Sequence, residues 1–270
     1  MNQVRTMKTK SLLRSLCCIA AVTLLPFRVF AGQEIKTIET RPGVTLKLLV
    51  MKPEGGARQV MLMFPGGKGA HHFGEQKGQI RLSNNFLMRA APDFVGLGLS
   101  VAVVDVPSDQ AFGMEDSFRT SAAHKEDIEA VMQFLAGAGY ESVYLVGTSR
   151  GTISVAYLGA ALKNERIKGI ILTSTMSYSR HLMRLPLENT TYPVLLVHHR
   201  DDGCRVTPFA EASKLKEKFP RSPQVTFVPL EGGSPSQSDP CEALSAHGFL
   251  GIEEKVVQVI GDWIAKMKVP

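Results

Sequence analysis

A chain of 270 residues, 44% of them hydrophobic and 21% charged, holds enough apolar material for one large domain with a full core. That balance excludes a fibrous or intrinsically disordered chain. The formal net charge of +6 is concentrated at the start: residues 1–31 hold five basic and no acidic residues, which leaves +1 for the rest and no electrostatic case for nucleic-acid binding.

The first 31 residues read as a secretory signal peptide. Arg5, Lys8, Lys10 and Arg14 form a positive start, Leu16 to Leu25 is a short apolar run, and Val29 and Ala31 supply small residues before a cleavage site. The run is too short to span a bilayer. The alternative reading is an N-terminal membrane anchor. A removed leader implies a periplasmic or secreted protein, with no stable membrane insertion afterwards. It also takes Cys17 and Cys18 with it. The two cysteines that remain, Cys204 and Cys241, are expected to form one disulfide. A metal site is the weaker reading, because no further ligands sit at zinc-like spacing.

From residue 32 onward, short apolar runs alternate with amphipathic segments. This predicts an α/β domain over 32–270, with a mostly parallel sheet and helices on both faces. Strands are expected at 34–40 and 44–51, as a hairpin around Pro42-Gly43, and then at 58–64, 99–106, 142–147, 167–173, 193–199 and 224–229. The later runs are almost continuously apolar, as strands covered on both faces must be. Ile128, Val131, Met132 and Leu135 share one helical face, as do Val256, Ile260, Trp263, Ile264 and Met267. The Gly/Ala-rich stretch 150–164 suits a helix packed closely on the sheet. Residues 231–240 are a loop by composition, and 174–192 are too few for a large lid.

Gly147-Thr148-Ser149-Arg150-Gly151 follows one of these strands and opens a helix. In that setting G-x-S-x-G predicts a sharp turn that lifts the Ser149 hydroxyl above the sheet edge as a nucleophile. A serine hydroxyl needs a base, and the base needs an orienting acid. Asp202, just past the strand 193–199, is the expected acid, with Asp201 as the alternative. His247, ahead of the last helix, is the expected base. Acyl transfer also needs backbone N–H donors for an oxyanion. Arg150, next to the nucleophile, and Gly67 or Lys68, in Pro65-Gly66-Gly67-Lys68-Gly69, are the candidates. His71 and His72 follow that loop and are secondary candidates for the pocket wall. His198 and His199 are expected to pack locally, and His124 and His181 to be ordinary positions.

Together these motifs resemble the α/β-hydrolase superfamily, in particular lidless bacterial members similar to the dienelactone-hydrolase and small-esterase groups. The resemblance covers about residues 40–268. It implies a three-layer sandwich around an eight-stranded sheet whose second strand is antiparallel, a serine triad, and no cofactor. It departs from the group at Pro65-Gly66-Gly67, where many esterases have His-Gly-Gly, and at Gly203-Cys204, where many members have Pro-Val after the acid. The expected partner is a small-molecule acyl substrate. Two other readings stay open, a peptidase or amidase with the same triad and a silent binding protein on this fold.

Overall fold

The computed structural model of the chain describes Met1 and residues 30–76, 79–80 and 82–267. Apart from Met1 and its last two residues, the expected leader lies outside them. Eight strands form one sheet: β1 (Phe30–Arg41), β2 (Val44–Pro53), β3 (Gln59–Phe64), β4 (Ser100–Pro107), β5 (Ser142–Thr148), β6 (Ile167–Thr173), β7 (Val194–His199) and β8 (Val225–Leu230). Their order is β1-β2-β4-β3-β5-β6-β7-β8. β2 runs antiparallel to both of its neighbours, and every other pairing is parallel. Each expected strand is present to within a few residues of its expected ends.

Alternation along the strands feeds two cores. Val60, Leu62 and Phe64 of β3 face one side, with Leu145 of β5 and the apolar face of helix α2 (Ala122–Gly137). Met61 and Met63 face the other side, with Tyr144, helix α1 (Phe86–Gly96) and the C-terminal helix α4 (Glu253–Lys266). Helix α3 (Gly151–Ala161) lies on the first side. Its surface is buried nearly all round, which is why it is rich in small residues and lacks a polar stripe. Both faces of the sheet are therefore covered, and the parallel strands can be apolar throughout.

Helix α1 has no counterpart among the sequence expectations. Asn85 caps it, with Oδ1 accepting the Leu87 N–H at 3.1 Å. Pro92 lies inside it. Among the described residues, no helix is long and apolar enough to cross a membrane.

Candidate active site

Parallel strands end at one edge of the sheet, and the loops that leave that edge build the site. β5 ends at Thr148, and α3 begins at Gly151. Ser149 fills the turn between them with φ 51°, in the left-handed region that side chains disfavour. Its N–H donates to the Thr173 carbonyl at 3.1 Å, and its carbonyl accepts the Thr152 N–H at 2.9 Å, so neighbouring strand and helix over-determine the strained conformation. Glycines make the turn possible. A Cβ on Gly151 would overlap the Phe64 carbonyl, one on Gly147 would come 2.6 Å from the Gly151 carbonyl, and one on Gly66 would come 2.9 Å from Cβ of Ser149.

Asp202 leaves the end of β7 three residues after His199 and is 8% exposed. His247 sits in a single helical turn, Ala246–Gly248, ahead of α4. Nδ1 of His247 lies 3.0 Å from Asp202 Oδ2 and 3.2 Å from Oδ1. Thr207 adds a third member. Its hydroxyl donates to Asp202 Oδ2 at 2.9 Å and stands 3.2 Å from Nδ1. The Cys204 N–H donates to Asp202 Oδ1 at 3.0 Å. Asp201 is exposed, and its backbone N–H donates to Nδ1 of His199. His198 is buried beside the acid, Nδ1 3.9 Å from Asp202 Oδ2, and its burial pushes its pKa down against the pull of that carboxylate.

The segment carrying His247 is anchored from two directions. Ser174 donates its hydroxyl to the His247 carbonyl at 2.6 Å. From α1, Arg89 donates to the carbonyls of Gly248 at 2.9 Å and Ala243 at 3.1 Å, and pairs with Glu253 at 2.7 Å. A disulfide joins Cys204 to Cys241 and so links the acid loop to the same segment. Asp202, Cys204 and His247 place a carboxylate, a sulfur and an imidazole within 4.8 Å of one another, but the sulfur is committed to the disulfide and offers no thiolate to a metal.

Ser149 and His247 line one cavity of about 430 Å³, together with Gly66, Gly67, Arg150 and the disulfide. All hydrogen bonds of the His247 ring run from Nδ1, and among the described residues none joins it to Ser149. Of the three residues expected as oxyanion donors, Gly67 and Arg150 line the cavity. Neither N–H has an acceptor among the described residues. Lys68 does not line it, and its side chain lies against Gly113. His71 reaches the cavity wall, and His72 does not. Asp105, at the end of β4, holds this stretch by accepting the N–H groups of His71 and Phe73, each at 2.8 Å. Among the described residues, four that are not glycine have positive φ: His72, Ser149, Ser174 and Phe249. Each is, or adjoins, a segment of the site, and stored strain of this kind gathers at functional sites.

Sequence reasoning did not single out Thr207, Arg89 or Asp105. Arg89 and Asp105 lie far along the chain from the groups they hold, and Thr207, five residues after Asp202, stands in no motif that marks it.

No known family model matches the chain, and no curated protein matches it. Many solved structures do. An α/β serine hydrolase homologue from Coxiella burnetii is 20% identical, with 85% of this chain and 96% of that one covered and a TM-score of 0.59. An esterase from Pyrococcus furiosus is 12% identical, with 88% and 93% covered and a TM-score of 0.62. An α/β serine hydrolase without a lid from Xanthomonas campestris is 15% identical, with 85% and 95% covered and a TM-score of 0.57. Strand order, the antiparallel second strand and these likenesses give the chain the α/β-hydrolase fold.

Proposed function

We propose that the protein is a serine hydrolase that cleaves an ester or related acyl bond through an acyl-enzyme on Ser149. The observation that carries this reading is the strained Ser149 turn facing the same cavity as the buried Asp202–His247 pair. A proton on Nδ1, facing the carboxylate, leaves Nε2 free to act as the base. His247 takes the Ser149 proton as Oγ attacks the carbonyl carbon. The tetrahedral oxyanion is held by the N–H groups of Gly67 and Arg150. Collapse expels the alcohol, which leaves with the proton returned by His247. Water then repeats the sequence and releases the acid. Asp202 steadies the imidazolium at each tetrahedral stage.

The cavity walls support a small, partly polar substrate. Phe86, Met176 and Val206 are apolar, while Asn84 and Glu242 are polar. The segment between β6 and β7, residues 174–193, holds only single turns and forms no large lid. The esterases among the structural neighbours favour the same reading. An exported location, periplasmic or secreted, agrees with the leader-like start and with the disulfide, a bond that persists in oxidising compartments.

The test is labelling of residues 32–270 with a fluorophosphonate, with the labelled peptide mapped, and hydrolysis of p-nitrophenyl esters beside peptide amides. Label on Ser149 and turnover of short-chain esters are expected. An unlabelled Ser149, or turnover of amides alone, overturns the proposal. Fractionation of the native host checks the location.

A further inference from the structure

Arg119 is the largest wholly buried side chain among the described residues, with an exposure of 0%. It ends the short helical turn Asp116–Arg119, ahead of α2. Its guanidinium lies behind the site and not in it: Arg119 does not line the cavity that holds Ser149. One terminal nitrogen donates to the Gly67 carbonyl at 3.0 Å, and the other to the Ser154 hydroxyl on α3 at 3.2 Å. Nε has no partner among the described residues. The nearby carboxylates, Glu115 and Asp116, are ion-paired with Arg150, at 3.1 and 2.7 Å. Burial, with the positive charge of Arg150 adding to it, pushes Arg119 down to about 10, which still leaves it charged at neutral pH.

Burying a cation that no carboxylate pairs is costly, and an apolar side chain of similar volume would fill the space without that cost. A guanidinium provides what an apolar chain lacks, which is N–H donors in fixed directions and a positive charge. Both of its bonds go to the elements that carry the candidate oxyanion donors. Gly67 belongs to the loop after β3. Ser154 lies one helical turn past Arg150 on α3. Gly67 stands at φ 62°, where the lack of a Cβ leaves its peptide free to swing. The bond to its carbonyl is a restraint on that swing.

We infer that Arg119 is a positioning residue for the oxyanion site: it locks the Gly67 peptide to helix α3, so that the two donors keep a fixed separation, and its charge lies close behind the position where the oxyanion forms. The inference rests on the hydrolase reading above. It places Arg119 among groups that act in the transition state and not in substrate binding.

The experiment compares Arg119→Met, Arg119→Gln and Arg119→Lys with wild type on a p-nitrophenyl ester. Circular dichroism and fluorophosphonate labelling are run beside the kinetics. Loss of a single oxyanion donor costs on the order of 10²–10³ in kcat. A folded Arg119→Met variant is expected to lose roughly 10²-fold in kcat, with KM within about threefold and the pH profile unmoved in shape, the pattern of a lost transition-state interaction. Arg119→Lys, which keeps the charge and one donor, should recover at least about tenfold of that loss. The inference is overturned by a folded Met or Gln variant with kcat within about threefold of wild type, or by a loss that appears mainly in KM. It is also overturned if neither neutral variant folds, which would make Arg119 a structural strut. An inactive, unlabelled wild type would instead bring down the hydrolase reading, and this inference with it.

Discussion

Asp202 presents both carboxylate oxygens to Nδ1 of His247, at 3.0 and 3.2 Å, while its neighbour Asp201 faces solvent. A single peptide bond thus separates the carboxylate that faces His247 from a solvated loop charge. Asp202→Asn should lower kcat by on the order of 10⁴, because an amide can present its N–H and stabilise the wrong imidazole tautomer. Asp201→Asn should leave kcat nearly unchanged. Steady-state kinetics on both variants checks the ranking, and the reverse order would move the acid to Asp201.

Ser149→Ala and Ser149→Gly should both abolish turnover and fluorophosphonate labelling, but they should differ in stability. The left-handed backbone at φ 51° strains any side chain and not glycine. Relief of about 1–3 kcal/mol of strain outweighs the roughly 0.5–1 kcal/mol that glycine loses through unfolded-state entropy. The Gly variant should therefore be the more stable of the two by about 1 kcal/mol in urea unfolding. Equal midpoints would mean that the turn is not strained.

Acid should destabilise the fold in part through His124. It lies in the core between the rings of Phe64 and Phe118, and neither ring nitrogen has a partner among the described residues. Burial, aided by the charges of Arg119 and Arg41, pushes it down to about 3. Above the ordinary histidine value of about 6.5 both folded and unfolded states are neutral there. Between that value and 3 only the unfolded chain takes up the proton, so stability falls with pH by up to about 1.4 kcal/mol per unit and levels off below 3. His198, also pushed down by burial, acts in the same direction. His124→Leu should flatten the decline in unfolding free energy between pH 6 and 4, measured by urea titration. An unchanged slope would mean that His124 is charged in the folded state.

Much of this architecture was legible because buried parallel strands are continuous apolar runs with sharp ends. The run 167–173 coincides with β6, and the other strands match within a few residues. The sharp turn at Ser149 was legible because its glycines are sterically required where Gly147 and Gly151 meet backbone. Helix α1 was not, since Pro92 interrupts the usual signature of a helix interior. Lys68 shows a second limit. The glycine-rich spacing marks the loop, but which of its residues line the cavity, here Gly66 and Gly67 and not Lys68, depends on backbone torsions that spacing does not encode. Thr207 and Arg119 show a third, because Thr207 lies 40 positions from His247 and Arg119 lies 52 from Gly67 along the chain.

The Cys204–Cys241 disulfide should support activity as well as stability. It closes a loop with a sequence separation of 37, worth about 4 kcal/mol in the chain-entropy model and often less in practice. Its position determines the effect on the site. Cys204 is buried, and its N–H donates to the acid's Oδ1, whereas Cys241 is exposed at the start of the segment that reaches His247. Arg89 and Ser174 hold that segment at Ala243, His247 and Gly248. Between β8 and Cys241 the chain is mostly exposed loop with little apolar surface to anchor it. Without the bond, the acid loop keeps its hydrogen bonds to Thr207 and His247, but its tie to residue 241 is lost. Cys204→Ser/Cys241→Ser should therefore fold, melt several degrees lower, and lose kcat through a less fixed Asp202–His247 pair. Under non-reducing conditions, peptide mapping should recover the linked pair. Reductant should act on wild type through the exposed Cys241 side and leave the double variant unaffected. Two reactive thiols in the native, unreduced protein would remove the basis for the prediction. A variant that melts lower but retains full kcat would restrict the bond to a purely structural role.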